Sequence, residues 1–567
     1  MYEMLEQLSQ ALSTLAQRSD FSVIPLHNLR RDADARIYYR GMGTRAAGGE
    51  PGGAARLNAA RDALAELPDV AAVRTRGDSL MVRFTDEHVA RLGARLEAGE
   101  GRALDAGELL GGAEVVVNFC DANPTKALHI GHLRNIALGQ ALAGALTAAG
   151  ARVTRQSQVS DYCRSMGEAL AGYMELPQHI TPRSLGVKSD HFVGDCFARY
   201  AAKLTAQSDA EGAEDPALSA EAAVRHDLAD ELLERVSAGD PEMVTRWRRL
   251  RGWALAGQEA TLAALSVKLD RLIYESDSRP TTGWILDRGL AGGVLTRTES
   301  GAVVYETREE EYPRLLLARS DGFPTQHLRT IALWHSLRET LEGTRSIELV
   351  GEEWHAYVRY HERMVHGTRC TRGKHYPSSN VIYGMVTVEG GAVKSSNGRP
   401  PLIDGLLERL AGSREVEELA ARSEGRFKSR SLAALIALGL YLGRPTRRPV
   451  DLTLTEMLDL SGGVGWELAR AAVCAWSPRY DGAPDPAPED ARYRQAVLQS
   501  QVYRRLLARA VEQLDVYELA RFYGHLSRRY LASDGDGRTA RAMRTLLAAG
   551  LGALGLPCAQ TEGGAVR

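Results

Sequence analysis

Glu114-Val115-Val116-Val117-Asn118-Phe119-Cys120 runs straight into Asp121-Ala122-Asn123-Pro124-Thr125-Lys126-Ala127-Leu128-His129-Ile130-Gly131-His132-Leu133-Arg134. The first segment is an apolar run of strand length, and the second is a short polar loop that opens a helix. Beyond it small and apolar residues recur three and four apart, at Ile136, Ala137, Leu142, Ala145, Leu146 and Ala149, and Gly150 supplies a stop. A strand–loop–helix crossover aims backbone N–H groups and the positive helix end at one spot, which suits a phosphate. His129 and His132 lie about one helical turn apart and can brace the negative charge that builds when a nucleotide phosphorus is attacked. Gly131 between them leaves room for a flat base to pack on the backbone.

The composition around this motif is that of an ordinary globular protein, with 567 residues, 44% hydrophobic and 25% charged. Such a length predicts about three or four domains. No stretch reaches the ~18 uncharged apolar residues that a membrane helix needs, so no membrane partner is expected. Met1-Tyr2-Glu3-Met4-Leu5-Glu6 is acidic and amphipathic, unlike a secretory signal. Cys120, Cys163, Cys196, Cys370, Cys474 and Cys558 contain no C-x-x-C pair. That argues against zinc and against a disulfide framework, so the cytoplasm is the expected compartment and no protein-held metal is expected. A net charge of −2 creates no global field for nucleic acid. Arg246-Trp247-Arg248-Arg249-Leu250-Arg251 and Arg426-Phe427-Lys428-Ser429-Arg430 are nevertheless local basic stripes of the kind that meet phosphates.

Three regions follow from the patterning. Residues 1–110 read as an α+β unit: a helix from about Leu5 to Gln17, a Gly-rich loop from Gly41 to Gly53, a second helix, and an alternating run from Ala72 to Phe84 that predicts a hairpin. In residues 111–425 the segments Val115–Cys120, Val153–Val159, Leu315–Arg319, Ile347–Val350 and Val381–Val388 are short apolar runs between helical stretches, the rhythm of a parallel doubly wound sheet. A polar, helix-rich insertion at about 187–275, ending in Leu269-Asp270-Arg271-Leu272-Ile273-Tyr274, interrupts that rhythm. Residues 426–567 read as helical throughout, with a break near Ser477–Glu489.

The histidine motif, with Asn123-Pro124 before it and Leu133-Arg134 after it, resembles the signature of class I aminoacyl-tRNA synthetases, specifically the arginyl-tRNA synthetase family. The resemblance implies an α/β fold: a class I Rossmann-type nucleotide-binding catalytic domain with a helical insertion. An N-terminal α+β domain similar to a tRNA-elbow-binding domain and a C-terminal all-α anticodon-binding-like bundle complete it. ATP and an amino acid are the implied substrates, tRNA the implied partner, and a monomer the expected state. Mg²⁺ is expected to travel with ATP and to need no dedicated protein cage. His129 and His132 then stabilise the attacked phosphorus. Val381-Ile382-Tyr383-Gly384-Met385-Val386 resembles the adenine-contacting segment, which assigns Met385 and Val386, with Gly131, to ATP. The mobile lysine loop that follows keeps one lysine, Lys394, where the fuller signature has two. Arginyl enzymes with such a loop carry a lysine at the position of Lys126, so Lys126 and Lys394 are expected to meet the departing pyrophosphate. Gly351-Glu352-Glu353-Trp354 resembles the segment that meets the ribose hydroxyls or the substrate amino group, which selects Glu353.

The family places an acidic residue five before the signature asparagine, and a tyrosine and an aspartate at a helix start, to read the guanidinium of arginine. Here those positions hold Asn118, Gln326 and Thr330, all neutral and polar, while Asn123, which handles the α-amino group, is kept. Loss of the carboxylates predicts a pocket for a neutral side chain unless Asp121, Glu352 or Glu353 takes over, because a buried unpaired cation is costly. The leading expectation is thus an arginine--tRNA ligase family enzyme with altered side-chain reading. The alternatives are a specialised paralogue that uses another amino acid in a biosynthetic pathway, and a non-catalytic tRNA-binding or regulatory relative.

Overall fold

A computed structural model of the chain describes residues 21–24, 35–39, 53–77, 79–97, 104, 107–210, 228–307, 312–340, 344–367, 378–392, 401–477, 491–531 and 537–557. Strands β1 (Phe21–Ile24), β2 (Ala35–Tyr39), β3 (Val70–Arg76) and β4 (Ser79–Phe84) form an antiparallel sheet in the order β1-β2-β4-β3, accompanied by helices α1 (Gly53–Ala65) and α2 (Asp86–Glu97). The hairpin expected near Ala72–Phe84 is the β3–β4 pair, turned at Gly77 with φ +61°. The helix expected over Leu5–Gln17 and nearly all of the Gly-rich loop from Gly41 lie outside the described residues.

The next segment brings β5 (Glu114–Asn118), α3 (Ile130–Ala148), β6 (Arg152–Val159) and α4 (Arg164–Met174). Helices α5 (Ser189–Ala210), α6 (Leu228–Ser237) and α7 (Pro241–Ala264) follow, then β7 (Arg271–Tyr274), α8 (Arg279–Ala291), β8 (Thr296–Arg297), β9 (Val303–Glu306) and β10 (Arg314–Ala318). Helix α9 (Gln326–Thr340), β11 (Arg345–Gly351), α10 (His355–Gly367), β12 (Ser378–Tyr383), β13 (Val386–Val388) and β14 (Gly391–Ala392) complete this region. Five of these strands make one all-parallel sheet in the order β12-β11-β5-β6-β7. The chain winds outward from β5 to β6 and β7, then returns to the other side of β5 with β11 and β12. The direction of winding therefore reverses between β5 and β11, and in such sheets ligands bind in the crevice at that reversal.

Four assignments of strands differ from the sequence reading. The Leu315–Arg319 run becomes β10, which pairs antiparallel with β9 in a separate three-stranded sheet. The second outer strand is instead β7, from the segment read as the end of the helical insertion; it is only four residues long and half-buried, so it shows no alternation. Val381–Val388 is not one strand but two, β12 and β13, broken at Gly384, where an added Cβ would lie about 2.4–2.5 Å from the backbone of Arg448 and Pro449. That approach also places β15 (Val450–Leu452) beside β13 in parallel, a strand within the stretch read as wholly helical.

The remainder is helical, with α11 (Ile403–Ala411), α12 (Arg414–Arg422), α13 (Ser429–Leu442), α14 (Val464–Ala475), α15 (Ala491–Gln513), α16 (Tyr517–Leu531) and α17 (Gly537–Ala553). Its core is continuous with that of the first two regions, running from Ile37 and Leu80 through Leu133, Ile136 and Leu142 of α3 to Leu435, Leu468 and Leu547. Helix α3 is apolar on all sides because it is packed on all sides. Gln140 donates to the Gly555 carbonyl at 3.2 Å, and the Tyr441 hydroxyl donates to the Ile130 carbonyl at 3.1 Å. The insertion has its own core, where Tyr173, Phe192 and Trp253 meet edge to face. No helix of the described residues is long and apolar enough to cross a membrane.

Candidate active site

His129 and His132 stand at the start of α3, and the structure fixes their chemistry. His129 is the N-cap of α3, in extended conformation, and its Nδ1 accepts from the Gly131 N–H at 3.2 Å. His132 lies one turn on, and its Nδ1 accepts from the His129 N–H at 3.2 Å. With both Nδ1 atoms accepting, the ring protons sit on Nε2. Burial, and then the charge of Lys126, push the His129 imidazole down to about 3, and burial, then His129 and Lys126, put His132 well below its ordinary value. The two rings are therefore neutral hydrogen-bond donors at neutral pH, seated on the positive end of a 19-residue helix.

The loop before them is held under strain by groups that the sequence reading did not single out. Cys120 has φ +77°, a conformation that costs a non-glycine residue about 1–3 kcal/mol. Its N–H donates to Asn135 Oδ1 at 2.6 Å, while Asn135 Nδ2 donates to the Leu349 carbonyl at 3.3 Å and to the Tyr383 hydroxyl at 3.2 Å. One side chain thus ties the ends of β5, β11 and β12 together; the sole signal was its position just after His132-Leu133-Arg134. From the insertion, Gln258 of α7 donates to the carbonyls of Asn123 and Lys126 at 3.1 and 3.0 Å. On the far side, Ile130 N–H donates to the Pro401 carbonyl and Ile403 N–H to the Leu128 carbonyl, so the chain just after residues 393–400 is bonded to the histidine loop. Lys394 itself lies outside the described residues. Lys126 is half-buried and near enough to both histidines to depress them; burial in turn lowers its own ammonium.

The Gly384-Met385-Val386 segment is clamped from both sides. Buried Arg134 donates to the carbonyls of Pro445, Thr446 and Arg448 at 3.2, 2.8 and 2.7 Å, which explains the arginine of the signature as a brace for this junction. The Met385 N–H donates to Glu352 Oε1 at 2.9 Å, and Val386 is buried in the strand. Met385 presents an exposed side chain, whereas Glu352 is committed to the backbone. Its neighbour Glu353 faces the cleft.

The cleft lies where the winding reverses, has a volume of about 230 Å³, and is lined by Asn123, Gly131, His132, Gln326, Thr330 and Glu353 among the expected residues. His129, Lys126, Asn118, Met385 and Val386 do not line it. Asn118 is fully buried beneath Asp121: its Nδ2 donates to Asp121 Oδ2 at 2.8 Å and its Oδ1 accepts from Gln156 at 3.3 Å. Nor is the cleft neutral, as loss of the family's carboxylates suggested. Among the described lining residues Asp121, Glu275, Glu348 and Glu353 are acidic and none is lysine or arginine. Asp121 opens onto the cleft, yet the protein crowded around it raises its carboxyl above the ordinary range. Glu275 is paired with Arg329 at 3.0 Å and accepts from Ser160. Part of the lining is aromatic, with Trp334, Trp354, Tyr383 and the neutral His361. Away from the cleft, Asp190, His191 and Asp404 converge as metal ligands would, but Lys188 reaches Asp190 and Asp404 at 3.2 and 2.7 Å and supplies the positive charge itself.

These features place the chain among known proteins. The curated arginine--tRNA ligase of Treponema pallidum is 29% identical over 354 residues, covering 62% of this chain and 56% of its own length. That of Phocaeicola vulgatus is 27% identical over 373 residues, covering 62% and 60%. The chain thus spans less than two thirds of the length of these relatives. The solved arginyl-tRNA synthetase of Thermus thermophilus shares the fold over 98% of this chain and 99% of its own, with a TM-score of 0.67 at 21% identity. The Plasmodium falciparum arginyl-tRNA synthetase does so with a TM-score of 0.64 at 12% identity, over 98% of each chain. Residues 107–407, more than half of the sequence, match the family of class I (R) tRNA synthetases over its catalytic domain. The chain belongs to the arginyl-tRNA synthetase family.

Proposed function

We propose that the protein is an ATP-dependent aminoacyl-tRNA synthetase of arginyl type. The observation that carries this reading is the neutral His129–His132 pair at the helix start, with His132 lining a cleft that also holds Asn123, Gln326 and Thr330. In the first step a carboxylate oxygen of the amino acid attacks the α-phosphorus of ATP; the bond to the bridging oxygen breaks and pyrophosphate leaves with that electron pair. The two Nε2–H groups donate to the oxygens on which charge grows, at no cost of deprotonation. Lys126 and Lys394 meet the pyrophosphate, Gly131 and the Met385–Val386 segment the nucleotide, and Asn123 the α-amino group. Mg²⁺ accompanies the ATP phosphates. In the second step a terminal ribose hydroxyl of tRNA attacks the acyl carbon and AMP leaves.

On the same reading the 1–110 unit serves the tRNA elbow, residues 111–425 the chemistry and residues 426–567 the anticodon end, in a cytoplasmic monomer. The test is amino-acid-dependent ATP–pyrophosphate exchange across the common amino acids, with and without total tRNA. Exchange with one amino acid is expected; none with any amino acid refutes the reading and leaves the non-catalytic relative. A specialised paralogue remains the second reading, favoured by Asn118, Gln326 and Thr330 standing where the family reads arginine.

A further inference from the structure

We infer that Glu348 is the residue that reads the amino acid's side chain, and that it selects a positively charged one. The inference rests on the synthetase reading above and specifies its substrate pocket. In the register of the parallel β5–β11 pair, Glu348 stands directly opposite Asn118. Adjacent residues of neighbouring strands project to the same face, so position 348 presents its side chain beside the one where the family keeps a carboxylate. Asn118 is shut away under Asp121, but Glu348 lines the cleft. The negative charge has moved one strand across the sheet.

The surroundings of Glu348 orient it. Ser346 Oγ donates to its Oε1 at 2.7 Å, and Gln158 Nε2, also on the cleft, reaches its Oε2 at 3.4 Å. Thr330 and Trp334, one turn apart on α9, and His361 of α10 line the same cleft. Two neutral hydrogen-bonding groups and an aromatic face suit a guanidinium or ammonium whose charge the carboxylate meets. Among the described lining residues three more are acidic. Glu275 is neutralised by Arg329, Asp121 receives Asn118 and the Gln158 N–H, and Glu353 follows the Gly351 turn at the end of β11.

Exchange with total tRNA, run on the common amino acids plus L-ornithine and the uncharged arginine isostere L-citrulline, tests this. The wild-type protein should favour a cationic amino acid over citrulline. Glu348→Gln should lower that amino acid's kcat/KM by about 10²-fold or more, through KM, with the KM for ATP unchanged. It should also collapse the preference over citrulline, and Glu348→Asp should keep part of it. The preference is a ratio within one protein, so a partly misfolded variant does not mimic the result. A wild-type preference for an uncharged amino acid, or a Glu348→Gln protein with its preference intact, overturns the assignment while the synthetase reading stands. Exchange with no amino acid at all removes both.

Discussion

The imidazoles of His129 and His132 stack with ring centroids 3.7 Å apart and an interplanar angle of 27°. Each Nδ1 is bonded to an N–H of the same turn, so the backbone that starts the helix also fixes both tautomers. Such a pair is preorganised before substrate arrives, and its contribution should appear in turnover and not in ground-state binding. His129→Ala and His132→Ala should each lower kcat by about 10²- to 10³-fold and leave the KM for ATP near its original value. Steady-state kinetics check this; wild-type turnover in both variants would remove them from the chemistry.

Their neutrality has a pH signature. His129 and His361 are held down to about 3 and His327 to about 4, with burial as the main cause, and His132 is held well below its ordinary value for the same reason. An unfolded histidine takes a proton near 6.5, so between that pH and the folded values the unfolded chain binds more protons. The stability contributed by these rings is complete above about pH 6.5 and falls as the pH drops toward about 3. Denaturant melts across that window should show stability declining with acid, and His361→Phe should flatten the slope. A slope unchanged by that substitution would mean the ring is protonated in the folded protein.

Lys126 and Lys394 are assigned to one pyrophosphate, so their losses should not add. Lys126→Ala should be as damaging to kcat as Lys394→Ala, and the double variant little worse than either. A lysine placed in the loop at Ser396 or Asn397 should restore part of the Lys126→Ala loss. A fully active Lys126→Ala protein contradicts the assignment.

Asn135 is the brace most open to a direct test. Asn135→Ala deletes all three of its bonds and leaves the Cys120 N–H without its acceptor. A cost of about 1–3 kcal/mol in stability is expected, with a loss of kcat, since the strained loop carries Asn123 and leads to His129. A melt that does not move would show that the loop holds its own shape.

The histidine loop, β5, β6 and β11 were legible because their signals are local: an apolar run, a polar loop and a helix start follow one another in sequence. The helix-rich insertion was legible from its polarity alone. What escaped the sequence depends on pairing. Four-residue β7 and antiparallel β10 are both short apolar runs, and nothing within such a run states its neighbour or its direction. Glu348 was hidden for the same reason. In Ile347-Glu348-Leu349-Val350 it reads as one charge in a strand, and only the folded sheet sets it opposite Asn118 and on the cleft.

Asn118 and Asp121 form a coupled pair, which sets how the family's residues could be restored. Asn118→Glu would place a second buried carboxylate where an amide now donates to Asp121 Oδ2 at 2.8 Å. An uncompensated buried charge costs about 3–5 kcal/mol, unless one carboxyl takes up a proton. Asn118→Glu alone should therefore lower the melting temperature and impair exchange with every amino acid. Adding Asp121→Ser removes the repelling charge and keeps an oxygen for the Gln158 N–H, so most of the stability should return. In that background Gln326→Tyr and Thr330→Asp should raise activation of arginine, because the guanidinium then meets carboxylates on two sides. Thermal melts of the single and double variants decide the coupling. An Asn118→Glu protein as stable as wild type with Asp121 in place would show that the loop parts from the strand and that the two positions act independently.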